Sequence, residues 1–183
     1  MITVVTVLRS GSGFTVEQVR NLMYQERLHL FGRRVCMSDI DFDIPNVTRI
    51  PLAHPDWGWK WSKLELFRPK LWDQDELVLY LDPDVEVVGE LTSIIKTRPE
   101  PMHVTPGLTS VMSWIAGELD ETYRLFARTP KPNMAAHVDD YIWIKGVTVS
   151  TARFWNEVLP GKVLELTTGQ PVPEGAALVY RLF

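Results

Sequence analysis

The sequence predicts an α/β domain, a mixed, mainly parallel sheet with helices on both faces. Short runs rich in Val, Ile, Leu and Thr alternate with segments whose apolar residues recur at helical spacing, the pattern of strands joined by helical crossovers. One run, Leu77 to Leu81, is apolar throughout, as a strand covered on both faces must be, and it ends abruptly at Asp82-Pro83-Asp84. A chain of 183 residues, 45% hydrophobic and 23% charged, can bury a core without disulfides or structural metal. A single domain over residues 1–183 is the expectation.

Taken in order, Ile2 to Leu8 reads as a buried strand running into the turn Arg9-Ser10-Gly11-Ser12-Gly13. Thr15 and Gln18 have capping-box spacing, and Val16, Val19, Met23 and Leu30 carry a helix onward. Arg34 to Ser38 and Val47 to Leu52 read as strands, with the Trp-rich, Pro-containing stretch from His54 to Trp59 as a loop. Trp61, Leu64 and Phe67 recur every three residues, which predicts a helix from Lys60 to Phe67 stopped by Arg68-Pro69. Beyond Asp84, Val85 to Val88 reads as extended, Leu91 to Ile95 as a brief helix, and Pro99 with Pro101 as a turn. Ser110 to Ile115 is predicted extended, and Glu118 to Arg128 helical with Leu119, Tyr123 and Phe126 on one side. Asp139 to Ile144 reads as a short helical turn, and Lys162 to Leu166 and Ala176 to Tyr180 as late strands.

Charge and cysteine content narrow the function. With 19 basic and 23 acidic residues the formal net charge is −4, so the chain has no broad cationic field for nucleic acid. Cys36 is the single cysteine, which excludes an internal disulfide or a thiolate zinc cluster and points to a reducing compartment. The opening MITVVTVLRSG has no basic stretch before its apolar run and reads as a strand rather than a signal peptide. No segment approaches the roughly 18 apolar residues of a membrane span. The expectation is a soluble cytoplasmic protein.

Chemistry concentrates after the buried strand. Open α/β sheets bind ligands outside the carboxyl ends of their strands, where Asp82 and Asp84 would lie. Two carboxylates two residues apart in a turning backbone can face one divalent cation, and Mg²⁺ or Mn²⁺ prefers such oxygen ligands. A cation held there would neutralise a diphosphate and stabilise it as a leaving group. The alternative is a solvated turn, in which Asp and Pro are both favoured.

The block Gly58-Trp59-Lys60-Trp61-Ser62-Lys63-Leu64-Glu65-Leu66-Phe67-Arg68-Pro69, then Leu77 to Asp84, then Val88-Gly89-Glu90-Leu91, resembles the core of small bacterial and phage glycosyltransferase-like proteins related to glycosyltransferase family 8. The resemblance runs from about residue 1 to residue 180, with strong motif matches over less than half of it. It implies a glycosyltransferase A-type, Rossmann-like fold and a metal-dependent transfer of a sugar from a nucleoside diphosphate sugar, a UDP-sugar, to an unidentified acceptor, with retention of configuration. It also implies that Asp84 is a direct metal ligand and that Asp82 contacts ribose or metal. Lys63 would face the site as a flexible point cation, or else be an ordinary exposed helix residue. The end of the first strand, with Arg9 and Ser10, would hold the nucleotide base through backbone groups. His137-Val138-Asp139-Asp140-Tyr141 occupies the place of a segment whose carboxylates meet donor-sugar hydroxyls or support the anomeric centre. Asp139 and Asp140 could equally cap the following turn.

The sequence departs from this pattern after Tyr180. The related proteins continue to a metal-binding histidine in a His-x-x-Gly-x-x-Lys-Pro context, whereas this sequence reads Arg181-Leu182-Phe183, and an arginine cannot bind the metal. A noncatalytic domain that binds nucleotide, sugar or protein is therefore one alternative. Another is a haloacid-dehalogenase-like phosphatase with Asp82 as nucleophile, although Val85-Glu86 stands where Gly-Thr is usual. Asp39, Asp41 and Asp43 alternate like the start of a calcium loop but lack its Gly and distal Glu, which favours a solvated loop. Trp61 is expected in the core, while Trp57 and Trp59 are open between core and a stacking platform. His29, His54, His103 and His137 show no metal-ligand spacing.

Overall fold

The computed structural model describes residues 2–54, 56–58, 60–99, 102–105, 108–128, 153–167 and 169–182. Within these, strands β1 (Ile2–Leu8), β2 (Arg33–Ser38), β3 (Thr48–Pro51), β4 (Leu77–Leu81), β6 (Met102–Thr105), β7 (Leu108–Ile115) and β8 (Arg153–Phe154) form one sheet in the order β3-β2-β1-β4-β7-β6-β8. The β3, β2, β1 and β4 neighbours are parallel, β7 runs antiparallel to β4 and β6, and β8 is parallel to β6. A second sheet joins β5 (Glu86–Val87), β10 (Leu178–Leu182) and β9 (Val163–Thr167).

The two-residue period of a strand assigns the core. Val5, Val7, Val78 and Tyr80 face one apolar cluster, while Val4, Leu8, Leu79 and Leu81 face another. On the first face lie Trp57, Trp61, Leu64 and Phe67, with Phe126 of α3 (Asp120–Arg128). On the second lie Val19, Leu22 and Met23 of α1 (Val16–Met23) and Ile94 of α2 (Thr92–Lys96). Helical elements thus cover both faces of the sheet, as predicted. Each large apolar side chain buried this way contributes roughly 1.5–3 kcal/mol.

Local signals explain several boundaries. The Thr15 side chain accepts from Gln18 N while the Gln18 side chain accepts from Thr15 N, so α1 begins on a complete capping box. Residues Trp61–Phe67 form a 3-10 helix rather than an α-helix. All seven are buried, and the three-residue recurrence of Trp61, Leu64 and Phe67 matches the 3-10 period itself. Strand β6 lies just after Pro99 and Pro101, in a stretch for which no element was expected. Hydrogen bonds fix the second sheet near the site: Val88 N and Gly89 N both donate to Ala177 O, at 2.9 and 3.1 Å. A Cβ on Gly89 would stand 2.0 Å from Ala176 O, so only glycine permits this approach. The last helical segment, α4 (Trp155–Val158), follows β8. Among the described residues no helix is long and apolar enough to cross a membrane.

Candidate active site

The chain order passes from β1 outward to β2 and β3, then returns to place β4 on the other side of β1. The carboxyl ends of β1 and β4 therefore flank a topological switch point, where open α/β sheets leave a ligand crevice. Leu8-Arg9-Ser10 and Leu81-Asp82 are the rims of that crevice.

Asp82 begins a tight turn. Its N–H donates to Ser110 O at 2.8 Å, and Val85 N donates back to Asp82 O at 3.0 Å, with Pro83 supplying the fixed φ at the second position. Tyr80 and Asp82 are two residues apart on an extended backbone and share a face, which lets the Tyr80 hydroxyl donate to Asp82 Oδ1. The buried 3-10 segment lies over this same face and brings Lys63 Nζ to 2.9 Å from the Asp82 carboxylate. Lys63 also donates to Thr109 Oγ1 at 3.2 Å and to Thr109 O at 3.4 Å. Lys63 is 9% exposed and Asp82 7%, so the pair is largely withdrawn from water. Lys63 is thus not an exposed helix residue.

Asp84 is served differently. Its Oδ1 is buried with no hydrogen-bond partner. Burial, and then the neighbouring Asp82 charge, push its pKa up from 3.8 to about 6 against the lowering effects of its own backbone and Lys63. A buried carboxylate oxygen without a donor is a costly feature that a bound cation would satisfy. The donor set also fits: hard Mg²⁺ or Mn²⁺ keeps water and substrate phosphate oxygens in its shell and needs only one or two carboxylates from the protein. No third His, Cys, Asp or Glu joins them among the described residues.

Arg9 and Ser10 lie at the rim but turn to internal partners. Arg9, 8% exposed, donates to His54 O and Ser62 Oγ, each at 3.3 Å. Ser10 N and Oγ donate to the two Asp39 oxygens at 2.8 and 2.5 Å, joining the ends of β1 and β2. Burial raises the Asp39 pKa, but the Ser10 bonds and Arg9 outweigh it and hold the carboxyl below its ordinary value. Asp41 instead pairs with Arg49 at 2.8 Å, so these two acidic residues of the loop have different partners. Val7, Ser12, Phe14 and Tyr80 line a recess with Arg9, Lys63 and Asp82.

Trp57 and Trp61 are both core residues, 5% and 2% exposed. Trp57 stacks on His54 at 3.9 Å, and His54 Nε2 lies 2.8 Å from Tyr123 Oη. Asp139, Asp140, His137 and Trp59 fall outside the described residues. Sequence reasoning missed three residues here. Tyr80 was legible from its i−2 position on the same strand face. Thr109 comes from the antiparallel β7 and had no local signal. Glu65 holds the loop before Trp57 by accepting from Ala53 N at 2.5 Å and His54 N at 3.0 Å.

No family model and no curated protein matches the chain. Solved structures do. The galactosyltransferase LgtC, in complex with donor and acceptor sugar analogs, aligns with a TM-score of 0.60 over 98% of this chain and 86% of its own, at 9% identity. A glycosyltransferase involved in glycosylating the major capsid of PBCV-1 aligns at 0.59 over 98% and 92%, at 12% identity. The glycosyltransferase GlyE of Streptococcus pneumoniae TIGR4 aligns at 0.53 over 84% of this chain and 45% of its own, at 12% identity. Likeness at such low identity concerns architecture, and the architecture of this chain is the glycosyltransferase A fold.

Proposed function

We propose that the chain is a glycosyltransferase that moves a sugar from a nucleoside diphosphate sugar, with UDP-sugars the first donors to test, to an acceptor hydroxyl, using Mn²⁺ or Mg²⁺ held by Asp84 and Asp82. The observation that carries this reading is the buried, unpartnered Asp84 Oδ1 at the switch point of a glycosyltransferase A fold. The cation, when bound, would neutralise the diphosphate and stabilise it as it leaves. Lys63 adds a fixed positive charge beside the same carboxylates, held by Asp82 and Thr109 so that little reorganisation is needed as charge develops. Asp82 orients that ammonium. The end of β1, with Arg9 and Ser10, would hold the base through backbone groups. Asp139 and Asp140 would meet the donor sugar. This fold belongs to the transferase reading and gives no support to the phosphatase alternative.

The test is nucleoside diphosphate release from a panel of sugar nucleotides, followed by chromatography with Mn²⁺ and with EDTA. Release from one donor that needs Mn²⁺ and falls at least about a hundredfold in Asp84→Asn is the expected result. Absence of release from every donor would refute transfer. A second reading has one observation in its favour: Lys63 already pairs Asp82 at 2.9 Å, so the protein supplies part of the cationic charge itself. On that reading the domain binds a nucleotide in EDTA and releases no product.

A further inference from the structure

A second cleft, of about 430 Å³, opens at the amino end of β4, the opposite end of that strand from Asp82. Five strand residues at roughly 3.3 Å each separate the two, about 17 Å. Its size lies within the range of small-molecule sites, roughly 300–1,000 Å³.

The lining is built from the 68–74 turn and the start of α3, and it mixes charge signs: Arg68, Lys70, Asp73, Gln74 and Asp120 surround Trp72. Trp72 is fixed, because its Nε1 donates to Leu66 O at 2.7 Å and the Arg33 guanidinium lies 5.9 Å over its ring. Arg68 is held by Glu65 at 3.3 Å. The side chains of Lys70, Asp73 and Gln74, by contrast, are exposed to solvent and have no hydrogen-bond or ion-pair partner among the described residues. The backbone is also forced at one lining residue: Lys70, at φ 63°, is a non-glycine residue in the left-handed region. Such conformations cost on the order of 1 kcal/mol or more and tend to occur at ligand sites.

We propose that this cleft binds a neutral, hydroxyl-rich ligand, a saccharide, independently of the Asp82–Asp84 site. Arg68 and Asp120 are already paired, with Glu65 and Arg124, so an anion would meet the charge of Asp73 and a cation that of Lys70. An apolar ligand would strand three polar side chains. A sugar hydroxyl both donates and accepts, so it can use the carboxylates, the amide and the cations together. The inference stands apart from the transferase reading, since it needs neither a metal nor a nucleotide.

The experiment is a nitrogen-15 amide titration of the full chain with lactose, maltose, cellobiose and chitobiose, and separately with inorganic phosphate. The expected result is a saturable shift by at least one disaccharide at residues 70–74 and 116–120, with residues 63, 82 and 84 unmoved. The double variant Lys70→Ala with Gln74→Ala, two surface positions, should keep the native Tm and weaken that sugar roughly tenfold or more. Asp84→Asn should leave it unchanged. Four results would each overturn the proposal: no shift by any of the sugars, shifts centred on 82–84, a response to phosphate alone, or full affinity in the double variant.

Discussion

Glu65 and Asp84 each bury carboxylate oxygen, Glu65 wholly and Asp84 through Oδ1, and the protein surrounds them in opposite ways. Glu65 is fully buried, and its oxygens accept from Ala53 N, His54 N and the Arg68 guanidinium. Asp84 keeps one buried oxygen with no donor and has a like charge two residues away. The first arrangement locks the loop that carries His54 and Trp57 against the sheet. The second leaves a deficit at the ligand crevice that a cation can fill. Burial alone therefore does not tell the two acids apart; the supply of donors does.

The largest effect should come from breaking the satisfied member. Glu65→Ala removes a buried charge and strands two backbone N–H groups, and should cost about 3 kcal/mol, read as a lower urea midpoint at unchanged m. Asp84→Asn should act in the opposite direction and stabilise the cation-free protein at pH 7.5 by about 1 kcal/mol. The linkage value is discounted here for the solvent that still reaches the group. The sign follows from a folded pKa of about 6 against an ordinary 3.8. Asp84 favours folding when protonated, and that contribution is lost as pH rises through about 6, so the variant's advantage should shrink as pH falls towards 4. The smallest effect belongs to the exposed Asp39. Asp39→Ala should cost about 0.5 kcal/mol at neutral pH, and wild type should lose that increment as pH drops through the depressed Asp39 pKa.

Much of this contrast was legible in the sequence, but unevenly. The apolar run Leu77–Leu81 ending in Asp-Pro-Asp marked a strand covered on both faces and placed the two acids at its carboxyl end, because the burial pattern and the turn chemistry are local. The α1 capping box was readable for the same reason. Glu65 was not legible as a clamp, since its partners are 11 and 12 residues back in a loop. Thr109 was hidden by its place on the antiparallel β7, and β6 by the prolines before it. The Trp61–Phe67 helix was readable from its three-residue period, which is that of the 3-10 helix it forms. Arg9 and Ser10 follow the end of β1, as the strand reading has it, yet their bonds to His54, Ser62 and Asp39 depend on tertiary contacts no local pattern carries.

On the proposed transferase reading, the unpartnered Asp84 oxygen serves a cation that binds with a nucleoside diphosphate. The most direct measurement is a thermal-shift titration of native protein and Asp84→Asn with UDP, GDP, ADP and CDP, each with Mn²⁺ and with EDTA. Ligand at a hundred times its Kd adds about 2.7 kcal/mol of stability, a shift of several degrees. The account predicts a Mn²⁺-dependent shift with one nucleotide that is abolished in Asp84→Asn. An equal shift in the variant, or no shift with any nucleotide, would contradict it.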